Sequence, residues 1–350
     1  MVSSDPTINS TSTSVTYKPG LTLKDVPYPS TKGNTPGSWA WSSSSTAISS
    51  AGKYTYSAKY TPTDTTNYNP VIRSITVTVN KADPTIYSAV TSVTYSPGLT
   101  LANVPLPNTA GNTPGSWAWT NSSTAIPSAG TYGYIAKYTP TDTTNYNYFT
   151  KSITITVHKA DPTIKSTATS AAYAPGLTLA KVSLPSTTGN TAGSWTWSNS
   201  NTAISSAGTH KFQAKYTPSS TNYNSVVKDI QITITKDTPT ADDFNFAAPS
   251  NLEYSADYKT ATITRKPGVE GIGELTVKYF TKVNGELTPL EGSSLPTDVG
   301  TYYVGINVGD DINYNSASGL TSDNWNFTIT PAGKHTYRLG NGSQIYLVTK

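Results

Sequence analysis

The chain of 350 residues carries 24 Lys and Arg against 20 Asp and Glu, a net charge of +4, and no cysteine. Disulfide and thiol chemistry are thereby excluded, and the charged share of 13% is about half the usual one. No run approaches the roughly 18 apolar residues of a membrane-spanning helix. The basic residues are scattered singly, which argues against nucleic acid as a partner.

The first residues, Met1-Val2-Ser3-Ser4, contain neither a basic region nor an apolar run, so they are no signal peptide. With no signal peptide and no wall anchor, the chain reads as a fragment of a longer protein. Asp5-Pro6-Thr7-Ile8 returns as Asp83-Pro84-Thr85-Ile86 and as Asp161-Pro162-Thr163-Ile164, a spacing of 78 residues both times. A period this long implies small domains with their own cores, not a solenoid of 20–50-residue units. Residues 5–82, 83–160 and 161–236 are therefore read as three repeats.

In repeat 1, Val15-Thr16-Tyr17 and Leu21-Thr22-Leu23 are short strand candidates on either side of the turn dipeptide Pro19-Gly20. Trp39 and Trp41 flank Ala40, so both indoles share one strand face. After the tight lead-in Ala51-Gly52, the segment from Lys53 to Thr61 alternates strictly, with Tyr54, Tyr56, Ala58 and Tyr60 on one face. Asp64-Thr65-Thr66-Asn67-Tyr68 has the Asp-x-x-x-Tyr spacing of a tyrosine corner. Ile75, Val77 and Val79 alternate with Ser74, Thr76 and Thr78, giving a strand with a Thr-rich outer face. Nothing sustains a 3.6-residue period. Each repeat is expected to be all-β, with about six or seven short strands in a small Ig-like β-sandwich; a β-grasp-like module is the alternative.

The junction Val79-Asn80-Lys81-Ala82-Asp83-Pro84-Thr85 has no Gly/Ser spacer, and Pro84 restricts the backbone. Semi-rigid end-to-end stacking into an elongated, monomeric rod follows. At about 3.3 Å per strand residue, four domains would span on the order of 120–160 Å.

Residues 237–331 form a divergent fourth domain whose strand grammar survives: Thr260–Thr264, Glu274–Phe280, Gly300–Ile306 and Trp325–Thr330. Here Asn313-Tyr314-Asn315 mirrors Asn67-Tyr68-Asn69. From residue 237 on, 8 basic residues face 13 acidic ones, so a mildly basic arm meets an acidic end. Residues 332–350 are a tail or the start of a further domain, with one strand candidate from Gln344 to Thr349.

The combination Ala-Gly-x-Tyr, Lys-Tyr-Thr-Pro-Thr-Asp-Thr-Thr-Asn-Tyr-Asn and Ile-Thr-Val-Thr-Val-x-Lys-Ala, repeated in tandem, resembles the Ig-like or MBG-type repeat modules of large bacterial cell-surface proteins, frequent in Gram-positive bacteria. The resemblance covers about residues 5–330. It implies a non-enzymatic stalk or adhesin, extracellular and associated with the cell surface or wall. It carries over no catalytic residue.

No enzyme site is expected. Asp25 becomes Asn103 and Lys181 in the other copies, so no acidic pair recurs for acid–base work. His158, His210 and His335 are far apart and not ligand-spaced. Gly268-x-x-Gly271-x-Gly273 is not a phosphate-loop spacing. No cofactor is expected, with calcium the one candidate: Asp310, Asp311 and Asn313, or Asp242 and Asp243, could ligate it through oxygens or simply be solvated acidic turns. The pairs Trp39/Trp41, Trp117/Trp119 and Trp195/Trp197 are either core residues or an exposed sugar-stacking platform. The platform reading makes glycans or host surface proteins the partners, with avidity from tandem copies. Lys59, Lys137 and Lys215 recur as for a Lys–Asn isopeptide bond, but alternation places Lys59 on the outer face.

Overall fold

The computed structural model describes residues 2–292, 294–333, 335–338, 340 and 344–347. Met1, Lys334 and the last residues of the expected tail strand, Val348 and Thr349, lie outside the described residues. The chain's regular structure is β-strands with short 3-10 turns, and the three repeats each form a four-stranded sheet. By contact the chain divides into two units: Met1–Ala160 with Thr221–Tyr223, and Asp161–Ser220 with Asn224–Lys350.

In unit 1, repeat 1 forms β1 (Ser12–Thr16), β2 (Gly37–Trp41), β3 (Gly52–Pro62) and β4 (Val71–Asn80). They make one sheet of order β1-β4-β3-β2. β1 runs parallel to β4; the other pairs are antiparallel. Register sets Trp39 opposite Tyr60 and Trp41 opposite Ala58. Because side chains alternate at period two, Trp39, Trp41, Ala58, Tyr60, Ile75, Val77 and Val79 all turn inward. The lid of this core is a short ladder. Leu23 N–H donates to Thr46 O at 2.9 Å and Ile48 N–H to Leu21 O at 2.8 Å, and Leu21, Leu23, Val26 and Ile48 join the same core. The expected six or seven strands are thus four strands and a ladder.

Leu21-Thr22-Leu23 does not continue as a strand, because Leu23–Asp25 closes into a 3-10 turn. Asp25 Oδ2 accepts the Thr22 N–H and hydroxyl, each at 3.0 Å, and Lys18 Nζ lies 2.6 Å from Oδ1. The Lys18 bond first, then the Thr22 bonds, lower the Asp25 carboxyl to about 2. A depressed carboxylate supports the fold above its ordinary range, and the support is lost as pH falls toward the depressed value. Acidification from about pH 4 to about pH 2 should therefore loosen this turn. The matching turn at Thr100, where neutral Asn103 Oδ1 accepts the same N–H at 3.1 Å, should not respond. Amide chemical shifts of Thr22 and Thr100 check this, and equal responses would sink it.

Repeat 2 repeats the pattern with β5 (Val90–Thr94), β6 (Gly115–Trp119), β7 (Gly130–Pro140) and β8 (Phe149–His158), in order β5-β8-β7-β6. In unit 2, repeat 3 supplies β9 (Ala168–Ala172), β10 (Gly193–Trp197), β11 (Gly208–Pro218) and β12 (Val226–Thr235), in order β10-β11-β12-β9. Gly37, Gly115 and Gly193 share one constraint. A Cβ at Gly37 would stand 2.6 Å from Thr61 O and 2.8 Å from Pro62 Cα, both backbone atoms that cannot swing aside. Gly37→Ala should cost about 1–3 kcal/mol by overpacking, seen as a lower melting temperature; an unchanged melt would refute the contact.

The fourth domain adds β13 (Phe244–Ala247), β14 (Thr262–Arg265), β15 (Leu275–Val283), β16 (Glu286–Pro289), β17 (Gly300–Val308) and β18 (Ala317–Ile329). β13 pairs with β14, and a second sheet runs β16-β15-β17-β18. Four of these six answer strands expected from sequence; β13 and β16 were not foreseen. β19 (His335–Arg338) and β20 (Gln344–Leu347) pair antiparallel, so the tail strand begins where expected. In unit 2 the buried residues of repeat 3 and the fourth domain form one continuous hydrophobic cluster, whereas in unit 1 the clusters of repeats 1 and 2 are separate.

Candidate functional site at the module junctions

The Asn-Tyr-Asn triplet is the element that the repeats and the divergent fourth domain share, and its geometry starts with the preceding acid. Asp64 Oδ1 accepts the N–H groups of Thr66 (3.0 Å) and Asn67 (3.1 Å), and Oδ2 accepts Asn67 Nδ2 at 2.7 Å. The Asn67 bonds hold the Asp64 carboxyl below the usual range. Asp142 grips Thr144 and Asn145 in the same way, with Asn145 Nδ2 at 2.7 Å. The acid therefore fixes the amide nitrogen of the asparagine and leaves its carbonyl oxygen aimed away from its own turn.

That oxygen reaches into the preceding repeat. Asn145 Oδ1 accepts the Ala51 N–H at 2.7 Å, ninety-four residues upstream. Within unit 1, Asn222 Oδ1 likewise accepts the Ala129 N–H at 2.8 Å. Within unit 2, Asn313 Oδ1 accepts the Ala207 N–H at 2.8 Å. In every case the donor is the alanine before the glycine that opens the long strand. Asn145, Asn222 and Asn313 are buried, as polar groups can be once they are satisfied.

The tyrosine beside each asparagine meets another ring edge to face. Tyr146 packs on Tyr17 (5.7 Å, 86°), Tyr223 on Tyr95 (5.6 Å, 87°) and Tyr314 on Tyr173 (5.6 Å, 78°), a favoured aromatic geometry. The linker closes the joint. Ala82 N–H donates to Asn145 O (2.9 Å) and Asn147 N–H to Ala82 O (2.8 Å); Asp237 does the same with Asn313 and Asn315. Burial raises the phenol of Tyr146, and Tyr17 and Asp142 add to it. Tyr314, fully buried, is pushed up to about 12, first by burial and then by Asp243, Tyr173 and Asp237. Neutral tyrosine thus stabilises the unit 2 joint up to the ordinary phenol range, and that support fades between about pH 10 and about pH 12.

Asn313 is the most heavily used member. Its Nδ2 also donates to Ser205 O (3.1 Å) and Glu270 O (3.0 Å). Its backbone N–H donates to Gly271 O at 2.9 Å. Gly271 has φ +64°, and a Cβ there would lie 2.6 Å from Asn313 Nδ2, so a glycine is required.

The structure also places the residues expected to bind ligands. Trp39, Trp41, Trp117, Trp195 and Trp197 are buried, and Trp119 is half-buried. Trp39 sits edge on to Tyr60 at 4.9 Å. Trp41, Trp119 and Trp197 donate Nε1–H to Val26, Val104 and Val182 O at 3.3 Å. The rings pack within the cores, the reading weighed against the exposed platform. At the calcium candidates, Asp310 pairs with Lys236 at 2.7 Å, and Asn313 Oδ1 is already committed to Ala207. Asp243 Oδ2 accepts the Thr240 N–H at 2.8 Å. Among the described residues no three His, Asp or Glu side chains gather as metal ligands. Lys59, Lys137 and Lys215 are exposed, and Lys137 lies over the Tyr148 ring at 4.0 Å. His210 stays in its own repeat, 2.9 Å from Ser206 O and stacked on Phe212.

Sequence reading treated Asp64–Tyr68 as a corner within one domain and missed that the equivalent Asn145–Tyr146 reaches into the preceding repeat. The available signal was the survival of Asn-Tyr-Asn at 67–69, 145–147, 222–224 and 313–315 while the acid before it was lost from repeat 3.

No helix among the described residues is long and apolar enough to cross a membrane. No family model and no curated protein matches the chain. Solved structures similar to it include Sidekick-1 immunoglobulin domains 1–5, at 11% identity and TM-score 0.23, covering 91% of this chain and 80% of that one. Drosophila N-cadherin EC1–4 is similar at 9% identity and TM-score 0.22, covering 83% and 93%. The N-terminal eight Ig domains of Down Syndrome Cell Adhesion Molecule are similar at 12% identity and TM-score 0.24, covering 87% and 45%.

Proposed function

We propose that the chain is a non-enzymatic spacer, the stalk-like repeat region of an extracellular bacterial surface protein or adhesin. One observation carries the reading: at 145–146, 222–223 and 313–314 the recurring Asn-Tyr pair is committed to the joint with the preceding module. Asn145 and Tyr146 are used on Ala51 and Tyr17, as Asn313 and Tyr314 are on Ala207 and Tyr173. A spacer works by resisting bending, and a buried, hydrogen-bonded joint resists it. The scarcity of charge and the absence of a recurring acid pair favour this over catalysis.

The test is a distance distribution by pulsed electron resonance between spin labels in repeats 1 and 2 of the full chain. The native chain should give a narrow distribution. Asn145→Ala with Tyr146→Ala should broaden it, since the hydrophobic clusters on the two sides are separate and do not hold the joint alone. A native distribution as broad as the variant's would refute the spacer reading.

A further inference from the structure

Repeat 1 carries the receiving half of the joint. Asp64 fixes Asn67 Nδ2 at 2.7 Å, the distance found at Asp142 and Asn145. Yet Asn67 is exposed where Asn145, Asn222 and Asn313 are buried. The strand leading into repeat 1 is already set as at the occupied joints. Ser4 N–H donates to Asn67 O at 3.0 Å and Asn69 N–H to Ser4 O at 2.9 Å, reproducing Ala82 with Asn145 and Asn147. Ser4 bridges Tyr68 in parallel as Ala82 bridges Tyr146. The backbone before Asp5 is therefore delivered beside Asn67 Oδ1 and the Tyr68 ring.

We propose that the Asn67–Tyr68 face is a docking surface for a further module of this same class, joined in sequence through the Ser4 strand. The occupant is defined by chemistry. It presents a backbone N–H before the glycine of its long strand to Asn67 Oδ1, and a tyrosine from the end of its first strand to the edge of Tyr68. Covalent linkage matters, because one hydrogen bond and one ring pair suffice only at the high effective concentration of a tethered neighbour. This inference rests on the spacer reading.

The experiment places a copy of residues 83–160 directly ahead of Asp5 in the full chain, so that the copied Ala160 takes the place of Ser4. Amide hydrogen exchange is followed with the added module segmentally labelled. The alanine N–H matching Ala129 in the added copy should exchange about tenfold more slowly than in the same fusion carrying Asn67→Ala. Tyr68→Ala should shift the ring signals of the added copy's Tyr95 equivalent. Retained protection across β3 shows that repeat 1 stays folded in both variants. The Ala51 amide, held by Asn145 in the same molecule, is the internal reference. Protection at Ala51 with none at the added alanine overturns this inference and leaves the spacer reading standing. Protection at neither overturns both. Concentration-dependent association of the unextended chain through Asn67 would overturn the tethered form in favour of a second copy.

Discussion

Trp39→Ala should destabilise repeat 1 by about 3–5 kcal/mol, the usual cost of emptying a large aromatic site in a core. The ring is 6% exposed, stands opposite fully buried Tyr60 in the β2–β3 register, and meets it edge on at 4.9 Å. Removing it opens a void beside Tyr60, whose hydroxyl donates to Thr35 O at 2.5 Å and so ties the sheet to the preceding loop. A module of this size has little to spare, since whole domains are stable by only about 5–15 kcal/mol, and the chain has no cysteine to brace it. Calorimetry of the full chain should show one component melting far earlier. Trp39→Phe should cost less than about 2 kcal/mol, because the Trp39 Nε1–H has no hydrogen-bond partner to lose. An unchanged melt for Trp39→Ala would mean the ring is not core and would reopen sugar stacking.

Asn313→Ala should cost unit 2 about 2–4 kcal/mol, the penalty for stranding buried polar groups. Three groups lose a partner together: the Ala207 N–H and the Ser205 and Glu270 carbonyls. Asn313→Asp should be no rescue. It keeps an acceptor for Ala207 but turns a carboxylate toward two carbonyl oxygens in a site that is 2% exposed. Asn67→Ala, at an exposed position whose side-chain amide donates to the nearby Asp64, should cost less than about 1 kcal/mol. Thermal unfolding gives the totals, and exchange at Ala207 shows whether the joint opens first. A cost at Asn67 equal to that at Asn313 would show that the asparagine serves its own turn and not the junction.

Much of the module was legible in the residues, for a local reason. Strand faces alternate at period two, so Tyr60 and Ala58 inward with Lys59 outward could be read without coordinates, as could the shared face of Trp39 and Trp41. The punctuation was local too: Pro19-Gly20 and Ala51-Gly52 mark their turns in any context. The 78-residue period and the all-β class followed from the sequence alone.

Tertiary structure alone decided what lies between distant residues. β1 finds its parallel partner in β4, with Ser12 beside Thr76, and nothing in the pattern of either strand names the other. The chain leaves the extended path only after Thr22, where Leu23–Asp25 closes into a turn and Asp25 reaches back to accept the Thr22 N–H and hydroxyl. Choosing between core and platform for the tryptophans needed the lid formed by Leu21, Leu23, Val26 and Ile48. The joint was hidden most completely. Asn145 answers Ala51 across ninety-four residues, and a hydrogen bond between a side chain and a remote backbone N–H leaves no periodicity behind. Sequence determined which faces each module buries, because that is written in adjacent residues; the fold decided which modules hold one another, because that depends on where the chain returns.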